Sequence, residues 1–246
     1  MIVDYKTIGL EKNLLYEILA TSLSIENEYQ ITPNTASMGI RIMNNNLISI
    51  MPYPKTKTFQ NINQIPIITL NFVDDIFLYA LASLKSSNSL DISEKASNLY
   101  HDFQQVKIST HLEDQLKPIK FGRDISIPFI KSSWAFIICE VKEKKKSFKE
   151  DHFGKLQITE FLMMPILIKK LRESYKLYNR AENLTLETII LATRFKVAVE
   201  KNDQKLMAQI ENKIMENVET INRFSKNKQI SESLEYINQY IENLKY

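Results

Sequence analysis

Apolar residues change their spacing along this chain. Up to about residue 160 they come in short runs rich in Ile, Val, Phe, Thr and Tyr, broken by turn-forming clusters, a pattern that predicts strands. Tyr16 to Leu23 alternates as a strand would, with Tyr16, Ile18, Ala20 and Ser22 on one side. Leu14, Leu15, Ile18 and Leu19 would equally stripe a helix, so both readings stand there. Further strands are predicted at Ala36 to Ile42, Leu47 to Met51, Ile65 to Asn71, Val106 to Thr110, Ile125 to Ile130, Trp134 to Val141 and His152 to Phe161. The Asn44-Asn45-Asn46 run suits a hairpin, because asparagine tolerates positive φ. Lys142 to Lys146 reads as an exposed hairpin tip whose charges blunt strand edges. Two short helices interrupt the strands. One opens at Thr56-Lys57-Thr58 and runs to about Asn63; the other follows Asp74-Asp75, which would cap it, and carries Phe77, Leu78, Leu81 and Leu84 inward. Residues 86–98, rich in Ser and Asn, suit a loop or a short surface helix.

Beyond residue 160 the period becomes helical. Phe161 to Tyr178 places Leu162, Ile166, Ile168 and Leu171 at three- and four-residue steps, with Pro165 near the start. Glu182 to Glu200 sets Leu186, Ile189, Ile190, Thr193 and Val197 on one face. Asp203 to Phe224 does so with Leu206, Ile210, Ile214, Val218 and Ile221, and Ser231 to Leu244 with Leu234, Ile237 and Ile241. The expected organisation is α+β: a mainly antiparallel β domain over 1–159, then a helical subdomain over 160–246 packed on it.

Composition narrows the chemistry. A net charge of +3 is too small to imply nucleic acid or an anionic membrane as partner. The sole cysteine, Cys139, excludes an internal disulfide and a paired-cysteine zinc site, and its apolar neighbours predict a buried, inert thiol. Gly9, Gly39, Gly122 and Gly154 stand too far apart for a Walker loop or a dinucleotide fingerprint. His101, His111 and His152 lack metal spacing and read as surface or packed residues. The first residues, Met1-Ile2-Val3-Asp4-Tyr5-Lys6, have no signal-peptide character, and no apolar stretch approaches the ~20 residues of a membrane span. A cytoplasmic location without membrane association is expected.

One segment asks for a ligand. Pro54-Lys55-Thr56-Lys57-Thr58-Phe59-Gln60-Asn61-Ile62 follows a strand and opens a helix. Threonine hydroxyls, ammonium groups and first-turn N–H groups gathered in one volume are what a phosphate dianion requires. A capped helix start with solvated lysines would look the same. A second segment, Pro33-Asn34-Thr35-Ala36-Ser37-Met38-Gly39-Ile40-Arg41, sets small residues and a glycine within a strand, where a flat ring or another backbone can approach closely; a bulge of structural use alone is the alternative. Together the two suit a flat, phosphorylated cofactor.

The blocks Asn34-Thr-Ala-Ser-Met-Gly-Ile-Arg41, Lys57-Thr-Phe-Gln-Asn-Ile62 and Asn71-Phe-Val-Asp-Asp-Ile-Phe77, with Tyr178-Asn179-Arg180-Ala181-Glu182 and Leu191-Ala192-Thr193-Arg194, resemble the domain-of-unknown-function 447 family. That largely archaeal group is related to flavin-reductase-like split barrels. The resemblance spans about residues 14–224, and the last helix looks like an extension. It implies an antiparallel split β-barrel with short inserted helices and a C-terminal helical subdomain, binding FMN at a homodimer interface. On that resemblance Ser37, Met38 and Gly39 line the isoalloxazine, Thr56, Lys57 and Thr58 hold the 5′-phosphate, Asn61 braces the loop, and Asn71 lies near the ring or ribityl chain. Arg180 either reaches the site or pairs with a carboxylate. This chain departs from the family pattern at Ser37, where proline is usual, and at Pro54-Lys55, where a basic residue and glycine are common.

Three functions follow from these readings. One is an FMN-dependent oxidoreductase or flavin reductase taking electrons from a nicotinamide or another small-molecule donor. The second is a non-enzymatic FMN-binding or electron-carrying module. The third is a cofactor-free dimeric interaction protein. Nothing in the sequence assigns an acid, a base or a substrate.

Overall fold

The computed structural model describes residues 4–26, 30–54, 56–75, 78, 82, 102–108, 125–151, 154–174 and 177–245. They form a 3-10 turn (Tyr5–Ile8), β1 (Leu15–Glu26), β2 (Gln30–Ile42), β3 (Ile48–Ile50), α1 (Lys57–Gln64), β4 (Ile67–Phe72), β5 (Phe103–Ile108), β6 (Ile125–Ile130), β7 (Ala135–Asp151), β8 (Gly154–Lys170), α2 (Arg180–Glu200), α3 (Gln204–Phe224) and α4 (Lys228–Lys245). Contacts divide the chain into two compact units: Met1–Leu10 with Glu17–Leu177, and Glu11–Tyr16 with Tyr178–Tyr246. Among the described residues no helix is long and apolar enough to cross a membrane.

Six strands close into a barrel in the order β1-β2-β3-β8-β7-β4. The β2–β3 hairpin turns where the asparagine run predicts it: Met43 N–H donates to Leu47 O at 2.8 Å, and Asn46 takes φ 63°. β1 closes the barrel on β4 in antiparallel register, Leu19 opposite Asn71 and Thr21 opposite Thr69. The ambiguous Tyr16 to Leu23 stretch is therefore strand. Alternation sorts its residues into two cores. Ile18 and Ala20 point inward with Ile40, Ile42, Ile48, Ile50 and Phe161, all sealed from water. Leu23, Ile67, Phe136 and Ile138 point outward, where the separate β5–β6 sheet covers them with Ile108, Ile127 and Phe129. Phe129 stacks on Phe136 with centroids 4.2 Å apart.

The helix expected over Phe161 to Tyr178 is a strand: β8 continues to Lys170, paired with β7 from Asp151↔Gly154 to Ala135↔Lys170. The reason lies in two irregularities of that ladder, between Ile138 and Cys139 and between Val141 and Glu143. The first leaves Ile166 between Pro165, opposite Cys139, and Leu167, opposite Ile138. A bulge accommodates a proline, which has no N–H for the ladder, and the extra residue breaks the two-residue period so that apolar positions fall at helix-like steps. The change of character expected at 160 accordingly falls at Tyr178, where the second unit resumes.

Lys142 to Lys146 is likewise not a hairpin tip. It lies inside β7, exposed, with Lys144, Lys145 and Lys146 opposite Phe161, Glu160 and Thr159. Its lysines act locally: Lys142 pairs with Glu140 at 2.7 Å, while Lys144 donates to Asn63 Oδ1 at 2.7 Å and lies over the Phe161 ring.

The helix expected after Asp74-Asp75 lies outside the described residues apart from Leu78 and Ala82, which are helical and buried. Residues 86–98 and the three histidines also lie outside them. Asp74 is an ion-pair partner. Arg172 grips its carboxylate with two bonds of 2.9 and 2.8 Å, and these hold its pKa below the usual carboxylate range.

In the second unit α3 and α4 bury the faces their spacing predicts: Ile210, Ile214 and Ile221, and Leu234, Ile237 and Ile241. On α2 two residues of the expected face turn outward, and the remaining three lie outside the residues whose side chains are described. Ile189 and Val197 are 42% and 46% exposed, and the buried side carries Ala181, Thr185, Thr188, Ala192, Phe195 and Ala198. Small residues let helices approach closely, and the two threonine hydroxyls are satisfied along the helix, Thr185 by Ala181 O at 2.8 Å and Thr188 by Leu184 O at 2.6 Å. Hydrophobicity alone would have buried Ile189 and Val197.

Candidate functional site

α1 starts where the sequence expects it. Thr56 is the N-cap: its hydroxyl accepts from Phe59 N–H at 3.2 Å and donates to Tyr53 O at 2.8 Å. Its proton is thus committed, and Thr56 serves the helix first. Lys57 follows, exposed, as the first helical residue, while Thr58 turns inward and is buried. Thr58 Oγ1 accepts from Asn34 Nδ2 of β2 at 3.3 Å, which leaves its hydroxyl proton to donate. One turn on, buried Asn61 donates to Ser22 Oγ of β1 at 3.0 Å, and Ser22 in turn reaches Asn34 O at 3.3 Å. These bonds clamp the N-terminal turn of α1 to β1 and β2. Asn61 thereby ties α1 to β1.

The strand half of the site follows from alternation along β2. Ile40 and Ile42 face inward, so Ser37, Gly39 and Arg41 share the outward face and Met38 falls on the inward side. Met38 can therefore offer an outside ligand only its backbone. All three of Ser37, Met38 and Gly39 are half-buried. Three residues of strand, roughly 10 Å, separate Asn34 at the α1 clamp from Ser37, and alternation sends the two side chains to opposite faces of β2.

Asn71 is held within the barrel wall. It is fully buried, its Nδ2 donating to Leu19 O and Thr21 Oγ1 at 3.0 Å and its Oδ1 accepting from Ile130 N–H of β6 at 2.8 Å. Thr21 passes the network to Thr35 of β2 at 2.8 Å. With both amide protons engaged, Asn71 ties the β6 cover to the barrel wall and supports β2 from behind.

Arg180 belongs to a capping motif. Asn179 caps α2 by accepting from Glu182 N–H at 3.2 Å, Ala181 is buried, and the Arg180 guanidinium lies 4.7 Å from the Phe224 ring centroid. The Arg180 cation packs on that aromatic face. Glu182 has its pKa raised, by burial first and then by the charge of Glu11. In the following block Ala192 is buried and Arg194 exposed.

Sequence reasoning missed five contributors: Asn34, Ser22, Arg41, Ser49 and Glu160. Asn34 and Ser22 make the clamp, yet Asn34 was legible only as a turn residue. Arg41 shares the outward face with Ser37 and Gly39, which the two-residue period alone would have revealed. Beside it Ser49, its register partner on β3, donates to Glu160 of β8. Glu160 lies 111 positions from Ser49, and no local pattern announces such a pairing.

The residues fit a phosphorylated planar cofactor. At α1 there is an exposed ammonium, a hydroxyl proton and the N–H groups of a helix start; on β2 a glycine lies between small or flexible neighbours. A ring bound there would meet no bulky side chain at Gly39.

A family model described as "Protein of unknown function (DUF447) N-terminal domain" matches residues 16–163. No curated protein matches the sequence significantly. Among solved structures, an FMN-bound DUF447 protein from Methanosarcina mazei is 16% identical with a TM-score of 0.47, covering 96% of this chain and 100% of its own. A flavin reductase, HpaC, complexed with NADP+ is 13% identical at a TM-score of 0.41, covering 71% and 94%. Flavoredoxin of Desulfovibrio vulgaris (Miyazaki F) is 12% identical at 0.39, covering 70% and 77%. None of the three is near enough to transfer a site. With its model matched over more than half of the sequence, the chain belongs to the DUF447 family.

Proposed function

We propose that this protein binds FMN, with the phosphate at the start of α1 and the isoalloxazine against β2 at Ser37 to Gly39, and that it works as a flavin-dependent oxidoreductase. The observation that carries this reading is the clamp: the Asn34–Thr58 and Asn61–Ser22 bonds fix the N-terminal turn of α1 beside β2. Bound FMN supplies the redox chemistry, and the protein's part is to hold and orient it. Lys57 neutralises phosphate charge, Thr58 donates its hydroxyl proton, and Asn34 and Asn61 keep that turn from moving. Asn71 acts indirectly, by keeping Thr21, Thr35 and hence β2 in place. A small-molecule donor such as a nicotinamide would reduce the flavin. A cytoplasmic homodimer is part of the same proposal.

Paired substitution tests the phosphate end. Lys57→Ala with Thr58→Ala should weaken FMN binding about a hundredfold and riboflavin binding far less, since charge-assisted hydrogen bonds contribute roughly 1.5–3 kcal/mol each. Calorimetry with both ligands decides it; equal losses would remove the phosphate from this turn. Anaerobic mixing of the FMN-loaded protein with NADH or NADPH separates a reductase, whose flavin bleaches within turnover times, from a carrier.

A further inference from the structure

The outward face of β2 does not end at Gly39. Arg41 is the next residue on that face, about 7 Å along the strand. It is half-buried, and it sits opposite Ser49 in the β2–β3 register. Ser49, itself buried, donates to Glu160 of β8, which fixes the carboxylate. Lys145 of β7 lies opposite Glu160 in the ladder and is ion-paired with Glu143 at 3.7 Å. A guanidinium therefore stands beside the ring-binding stretch on three hydrogen-bonded strands, which hold it more rigidly than a loop would. Burial lowers the Arg41 pKa and the charge of Glu160 partly offsets this, so the cation sits in water-poor surroundings on the strand face that carries Ser37 and Gly39. A second negative charge arriving there would be stabilised.

We propose that Arg41 is the residue that makes this protein prefer reduced FMN, by holding its cation beside the negative charge that the two-electron-reduced isoalloxazine carries at neutral pH. Glu160 sets the strength of that preference, because it supplies part of the counter-charge. The inference rests on the FMN reading above and adds to it the redox form the site selects.

The test measures the affinity of the full chain for oxidised FMN and, anaerobically, for dithionite-reduced FMN. Arg41→Gln should weaken reduced FMN by about tenfold or more while changing oxidised FMN much less, the size expected of a charge-assisted hydrogen bond. Arg41→Lys should keep most of the preference. Glu160→Gln keeps an acceptor for Ser49 but removes the charge, and should shift the ratio of the two affinities the opposite way, toward reduced FMN. A purely structural role for Arg41 would not produce opposite shifts in the two variants. Equal weakening of both redox forms by Arg41→Gln and Arg41→Lys, or an unchanged ratio in Glu160→Gln, would overturn the proposal while leaving FMN binding in place. If the unaltered protein binds neither form, the FMN reading fails, and this inference with it.

Discussion

The barrel and the helical unit solve the burial problem differently. In the barrel, large side chains are sealed on both faces of the same strands, inside the closed sheet and beneath β5–β6, and a buried amide, Asn71, stitches cover to wall. In the helical unit, among the described residues, α2 buries alanines, threonines and one phenylalanine, and leaves Ile189 and Val197 half in water. The lesson is that size and position matter together. A closed sheet has space on two faces for bulky residues, whereas closely packed helices select small ones and turn some large ones out.

Truncating the barrel should break it first. Phe136→Ala removes a fully buried ring stacked on Phe129 and should cost about 3–5 kcal/mol in denaturant unfolding. A loss below 1 kcal/mol would mean that the β5–β6 cover is loosely packed. Next in size are the helix caps. Asn179→Ala and Asp203→Ala each remove a side-chain acceptor for a first-turn N–H and should cost about 1 kcal/mol, read as loss of helicity on heating.

Smaller still is the Arg172–Asp74 pair in the barrel unit. Its geometry is bidentate but partly exposed, so it contributes at most about 1 kcal/mol. Because the folded pKa of Asp74 is depressed, that contribution is present above the unfolded carboxylate pKa and lost as pH falls through the folded value. Asp74→Asn should lower stability at neutral pH and converge with the parent in acid. A constant difference at every pH would show that the pair's charge is not what stabilises. The smallest effect belongs to Ile189→Ser, which should change stability by less than about 0.5 kcal/mol. A core-sized loss there would restore the face that hydrophobicity alone predicts.

Strand positions in the barrel were largely legible because alternation and turn chemistry agree there. The asparagine hairpin, α1 with its threonine cap, β6 and the three C-terminal helices lie near where their residues imply. What was not legible depends on distant partners. Residues 161–170 become strand because β7 pairs with them, and the bulge at Pro165 hides their period. The buried side of α2 is chosen by α3 and α4. At the site, α1's phosphate-type chemistry could be read locally, but the roles of Asn71, Ser22 and Glu160 arise from contacts 39 to 111 positions away. Around Arg180 the local signals were partly structural: Asn179 caps α2 and the guanidinium packs on Phe224, 44 positions on.

Cys139 lies on β7 between Ile68 of β4 and Pro165 of β8, completely enclosed, with burial pushing its thiol pKa well up. The native molecule is therefore silent toward maleimides. A cysteine placed at an exposed position such as Tyr236 would carry a fluorophore or spin label alone, with the wild-type thiol left in place, so that two labelled copies would report directly on whether and how the chain self-associates.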